Sequence, residues 1–146
     1  MILNSYGVSI HEEDGDFVVQ CRDLPEVVTS GNSFAEALDL AADAVEVVVL
    51  KRIEDELDLP EPSPAEAGEQ AIVLPAHLSA KAAVYRAWKA SGLRKTELAR
   101  RMNRNEIEVR RILDPRHGTK LDQLAEAAHA LGQQLVIGLA PVASAK

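Results

Sequence analysis

The sequence predicts an α+β chain: a small β-β-β-α-β sandwich followed by an all-α body. Three observations carry this. Apolar residues alternate with period two at residues 6–11, two further short apolar runs follow by residue 30, and three- and four-residue apolar steps take over afterwards. The charge also divides near residue 75. Residues 1–75 carry 17 Asp and Glu against Arg22, Lys51 and Arg52, a net of −14, whereas residues 76–146 carry 13 Lys and Arg against 6 Asp and Glu, a net of +7. The overall charge of −7 hides an acidic module, 1–75, joined to a basic one, 76–146. Such asymmetry suggests two partners of opposite charge, the plain alternative being chance segregation of solvated surface.

The first strand is read from Tyr6, Val8 and Ile10, which alternate with Gly7, Ser9 and His11. Asp14-Gly15 is a hairpin turn signal, and 17–21 (FVVQC) returns as the second strand. Pro25 interrupts, 27–30 (VVTS) forms a third short strand, and Gly31-Asn32 turns the chain. Ser33 and Glu36 make an S-x-x-E capping box. The helix they open runs to about Arg52 and carries Phe34, Leu38, Ala41, Val45, Val48 and Val49 on its apolar face. Residues 57–69, with three prolines and a glycine, read as an irregular connector, and 71–75 (AIVLP) as a fourth, edge strand.

The basic half is helical. Ser79 is a candidate cap for a helix with Val84, Ala87 and Trp88 on one face, ending at Ser91-Gly92. Residues 121–131 give another, with Leu121, Leu124, Ala128 and Leu131 inward and Gly132 closing it. Between them lies TELARRMNRNEIEVRRIL, 96–113. A continuous helix there would keep its apolar stripe in phase, but the stripe of Leu98, Ala99 and Met102 meets Asn105 and Glu106 before Val109, Ile112 and Leu113 resume it. Asn103 tolerates a left-handed turn and Asn105 is a good N-cap. The reading is therefore helix 95–102, turn 103–105, helix 106–113: a helix-turn-helix. With Val109, Ile112 and Leu113 buried, Ile107 and Arg111 fall opposite, flanked by Glu106 and Arg110. Those four suit base edges in a DNA major groove, while Lys95, Thr96, Asn105 and Arg116 would hold phosphates. The bland alternative leaves them as solvated charge. Residues 135–139 (LVIGL) form a short apolar strand without a partner; Leu135, Val136, Ile137 and Leu139 would pair with the same strand of a second subunit or pack on their own helices.

Nothing points to an enzyme. The four histidines are dispersed without metal-ligand spacing, no Gly-rich phosphate loop occurs, and Cys21 alternates with Val19 as a packed residue. Asp39, Asp43 and Glu46 line a solvated helix face. No catalytic residue, cofactor or metal is expected. A single cysteine excludes an intrachain disulfide. The start does not read as a signal peptide, and no apolar run approaches the ~20 residues that span a bilayer. A cytoplasmic protein without membrane contact is expected.

Residues 79–133 resemble Cro/repressor-type domains, through SGLRKTELARRMNRNEIEVRRIL and LDQLAEAAHALG, with Asn103 where a turn glycine is usual and Arg104 where an aliphatic residue is usual. Residues 4–75 resemble the HicB antitoxins: strand, Asp-Gly hairpin, strand, Asp23-Leu24-Pro25, strand, then Thr29, Gly31, Ser33, Glu36 and Ala37, and the late PEPSP at 60–64. Glu26-Val27 stands where that family often has Gly-Cys. The resemblance implies a partial RNase H-like fold and an antitoxin that blocks a small basic, RNA-cleaving HicA-like toxin and represses its own operon; the helix-turn-helix, with the strand at 135–139, adds the expectation of a homodimer or higher even oligomer. The expected toxin contacts are the hairpin carboxylates Glu12, Glu13, Asp14 and Asp16 and the loop residues Asp23, Leu24 and Glu26. A stand-alone regulator, whose acidic module binds a ligand or dimerises, is the alternative reading; a nuclease would need clustered carboxylates.

Overall fold

The computed structural model describes residues 4–142, and its element order is β1 (Ser5–Glu13), β2 (Asp16–Cys21), β3 (Val28–Gly31), α1 (Phe34–Glu54), β4 (Gln70–Val73), α2 (Ala76–Ser91), α3 (Lys95–Met102), α4 (Glu106–Leu113) and α5 (Leu121–Ala130). The strands form one antiparallel sheet in the order β3-β2-β1-β4. Asp14 and Gly15 both take positive φ, 53° and 86°. That places Glu13 opposite Asp16 and sets the register that brings Val8 opposite Cys21 and Ile10 opposite Val19. These side chains share one face, and α1 covers it.

The buried stripe of α1 is Ala37, Ala41, Val45, Val49 and Ile53. It differs from the predicted stripe by centring on the alanines, whose small side chains bring the helix close to the sheet; Phe34 is exposed instead. Gly31 shows how close. A Cβ there would lie 2.7 Å from the backbone nitrogen of Ala37, so only glycine fits where β3 feeds the helix. Ser33 caps α1, its hydroxyl accepting from the Glu36 amide at 3.1 Å.

Helix α2 starts at Ala76, directly after Pro75, so Ser79 lies inside it and does not cap it. Pro75 stands at the N-cap position, and no side chain caps the first turn. Gly92 closes α2 with φ 70°. Leu121, expected inward, is exposed at the first position of α5, where Leu124, Ala127 and Ala128 are the buried residues. The hydrophobic core is continuous from Tyr6 and Val8 on the sheet to Leu98, Val109 and Leu124 in the helices. Polar ties cross the same boundary. The Tyr85 hydroxyl donates to the Leu57 carbonyl at 2.6 Å, Asn4 Nδ2 donates to the Ser79 carbonyl at 2.8 Å, and Arg86 Nη2 donates to the Tyr6 hydroxyl at 2.6 Å. The acidic and basic halves differ in charge while sharing an interior.

Candidate functional site

Helices α3 and α4 are separated by three residues, and the turn is built as the sequence implies. Asn103 sits in the left-handed region, φ 54° and ψ 45°. The Asn103 amide donates to the Arg100 carbonyl at 3.2 Å and the Arg104 amide to the Ala99 carbonyl at 2.9 Å. Asn105 Oδ1 accepts from the Glu108 amide at 2.9 Å and caps α4. Arg104, unusual for this position, pairs with Glu126 of α5 and with Glu108. The turn is thus fastened at its rim by ions where an aliphatic side chain would fasten it from within. Leu98 and Ala99 of α3 and Val109, Ile112 and Leu113 of α4 are buried. Ile107 is 59% exposed and Arg111 is exposed beside it. Arg111 has no side-chain ion-pair partner among the described residues.

The remaining predicted cations are engaged. Lys95 Nζ lies 2.7 Å from Glu56 Oε1 and 5.7 Å from the Trp88 ring centroid. Arg116 pairs with Glu54. Arg110 Nη2 donates to Glu106 one turn earlier at 2.7 Å, so two of the expected base-facing groups are neutralised by each other. Asn105 spends its side-chain oxygen on the cap, and Thr96 is exposed. Glu54 ends α1, and Glu56, two residues past its last turn, takes φ 54° and turns the chain. Sequence reasoning saw the cations without these counter-ions, because the pairs are separated by 39 and 62 residues and only the fold joins them.

A second residue was missed altogether. Lys81 is 2% exposed and lies on the apolar stripe of α2 with Leu78, Val84, Tyr85 and Trp88. Its ammonium donates to the Arg111 carbonyl at 2.9 Å, the Ile112 carbonyl at 2.8 Å and Thr119 Oγ1 at 2.6 Å. Burial pulls its pKa down to about 8, partly opposed by the carboxylate of Asp114. The signal was a lysine standing three residues after Leu78 and seven before Trp88, an apolar position by spacing.

On the acidic side, Glu12, Glu13, Asp14 and Asp16 are all exposed at the tip of the β1–β2 hairpin. Only His11, 3.5 Å from Glu13, lies in ion-pair range of them among the described residues. The loop after β2 is a different matter. Leu24 is 0% exposed and belongs to the core, so its side chain cannot touch a partner in this state. The Asp23 carboxylate accepts from the Ser63 amide at 2.8 Å and the Ser63 hydroxyl at 2.7 Å, holding the proline-rich connector against the sheet. Glu26 makes a two-pronged pair with Arg52 at 2.6 and 2.7 Å, and that guanidinium holds the Glu26 carboxyl below the usual carboxylate range. Leu24 is therefore a core residue, whereas Asp23 and Glu26, though engaged by Ser63 and Arg52, keep part of their surface exposed.

Residues 135–139 are not a strand within the single chain. Leu135 packs against the core, whereas Val136 and Ile137 are each 65% exposed and Leu139 is fully exposed. Among the described residues no group of three or more His, Cys, Asp or Glu side chains is placed to hold a metal ion, and no helix is long and apolar enough to cross a membrane. Cys21 is buried, and burial pushes its thiol pKa up.

An acidic sheet-and-helix layer shares its core with a helical half that carries the paired helices α3 and α4. Comparison with known proteins gives the family. Residues 5–83 match the family model described as the HicB_like antitoxin of bacterial toxin-antitoxin systems. Antitoxin HicB 1 of Photorhabdus laumondii is 35% identical over 127 residues, covering 87% of this chain and 81% of that protein. Antitoxin HicB of Pseudomonas fluorescens is 30% identical over 139 residues, covering 94% and 95%. Antitoxin HicB of Escherichia coli K12 is 34% identical over 122 residues, covering 84% and 88%. The chain belongs to the HicB antitoxin family and is a regulatory protein of a toxin-antitoxin system, not an enzyme.

Proposed function

We propose that the protein neutralises a small basic HicA-like toxin that cleaves mRNA, and represses its own operon by binding operator DNA as a dimer. The observation that carries the DNA half is the exposure of Ile107 and Arg111 on the outer face of a helix capped and packed on its inner face. An arginine there can grip guanine O6 and N7, and the isoleucine can meet a thymine methyl. Thr96, with Lys95 and Arg116 once released from Glu56 and Glu54, would meet phosphates. Pairing of 135–139 between two chains would satisfy that segment's backbone and set two reading helices about 34 Å apart on one face of the duplex. The toxin half rests on charge. A hairpin tip of four nearly unpaired carboxylates attracts a cationic partner, raising the on-rate and selecting for it. An assignment of the toxin contact to Glu12, Glu13, Asp14 and Asp16 survives the geometry better than one to Asp23, Leu24 and Glu26. The experiment is co-expression with the small basic protein encoded alongside. Co-purification and rescue of growth are expected; no co-purification and no rescue would end the antitoxin-by-binding reading. A fold buried in the membrane-free interior of the cell, the cytoplasm, is where such RNA and DNA partners occur, and it is the location we propose.

A further inference from the structure

We infer that Lys81 is the positioning residue of the reading helix: it fastens the last turn of α4 and the following loop to α2, and so fixes where Arg111 projects. The inference rests on the DNA-binding role proposed for α4. The last carbonyls of a helix have no partner inside it, and α4 has only eight residues, so its C-terminal end depends on outside donors. Lys81 supplies three N–H groups to three acceptors. Two are the carbonyls of Arg111 and Ile112; the third is Thr119 Oγ1, which itself donates back to the Arg111 carbonyl at 3.2 Å. The backbone of the arginine that faces DNA is therefore held from behind by two groups of other elements. A cation at a helix C-terminus also matches the helix dipole.

The other titratable or charged groups around this junction are Asp114 at the end of α4, His77 on α2 (3.1 Å from the Thr119 carbonyl), His117 (3.0 Å from Thr119 Oγ1), and Arg116 and Lys120 in the same loop. None of their side chains donates to the α4 carbonyls of Arg111 or Ile112; beyond Lys81 and Thr119, the one further donor there among the described residues is the Asp114 backbone amide, 3.2 Å from the Arg111 carbonyl. A neutral amine keeps only two N–H groups and loses the strength of charge-assisted bonds. Losing the proton therefore weakens the hold on α4.

Two readouts then move in opposite directions. The folded-state pKa of about 8 lies below the ordinary 10.5. Between those values the unfolded chain holds the proton and the folded chain does not, so global stability rises with pH through that window. Operator affinity should fall over the same window. A residue that only filled the core would move stability alone.

The test uses the full-length protein and a duplex covering the DNA upstream of its own reading frame, from pH 7 to 9.5, with Lys81→Met, Thr119→Val and Arg111→Ala. Wild type is expected to lose about tenfold in affinity as pH rises, about the value of one well-placed base contact. Lys81→Met should start about tenfold weaker with a flat profile, and Thr119→Val should fall between. Hydrogen exchange of the α4 amides should quicken in Lys81→Met while β1 and β2 stay protected. A flat wild-type profile, or a folded Lys81→Met that binds as tightly as wild type while Arg111→Ala does not, overturns the inference and leaves the DNA reading standing. Undiminished binding by both variants overturns the DNA reading and the inference with it.

Discussion

The hairpin tip of the acidic half and the outer face of the paired helices treat charge in opposite ways. At the tip, Glu12, Glu13, Asp14 and Asp16 face water with a single histidine near them. On the helices and the loop after α4, Lys95, Arg110 and Arg116 each already hold a carboxylate, and two of those carboxylates, Glu54 and Glu56, come from the last turn of α1 and the residues just after it. The first surface is ready for a cation as it stands. The second would have to release these internal partners before its full charge could meet the phosphates of the proposed operator. Charge counted from composition therefore overstates how cationic the outer face of the paired helices is. Glu54 and Glu56 also tie that side physically to the body expected to receive the toxin.

The largest effect expected from this comparison comes from Arg111, which has no ion-pair partner among the described residues and stands beside the exposed Ile107. Arg111→Ala removes one base contact per chain, each worth about 1–3 kcal/mol. In a dimer the loss is twofold in free energy, so operator affinity should drop about a hundredfold or more by fluorescence anisotropy, with circular dichroism unchanged. Toxin binding should not move. Operator binding that survives at moderate salt would show that the wrong face has been assigned to DNA.

Leu24→Ala sharpens the acidic side of the comparison. Its side chain is fully buried, so truncation should cost about 2–5 kcal/mol of folding stability by urea denaturation. The folded fraction should still bind toxin with wild-type affinity. A variant of unchanged stability with weakened toxin binding would restore Leu24 to the contact surface.

The two halves differ in how much of each was legible. The turn between α3 and α4 could be read to the residue, because its signals are local: Asn103 for a positive φ, Asn105 for a cap, and an apolar stripe that loses phase between them. The hairpin was legible for the same reason, through Asp14-Gly15. What could not be read is what distant segments do to each other. Asp23-Leu24-Pro25 looks like an exposed loop motif until Ser63 is brought to Asp23 and the core closes over Leu24. Lys81 looks like one more basic residue until the end of α4 arrives above it. Arg104 looks like a defect in the turn until Glu126 meets it. In each case a partner more than twenty positions away sets the residue's role, and helical spacing marks at most the position, as it does for Lys81, without naming that partner.

The smallest effect tests the tie between the halves. Glu54→Gln with Glu56→Gln releases Arg116 and Lys95 from their pairs. Exposed pairs of this kind are worth about 0–1 kcal/mol each, so stability should fall little. DNA affinity should rise by about threefold to tenfold, because two cations no longer exchange a carboxylate for a phosphate on binding. The slope of log affinity against log salt should steepen, by up to about 0.9 for each phosphate newly neutralised. An unchanged affinity and slope would mean that Lys95 and Arg116 stay on α1 in the complex, making them structural ties between the halves and leaving the reading of DNA to Arg111 and Ile107.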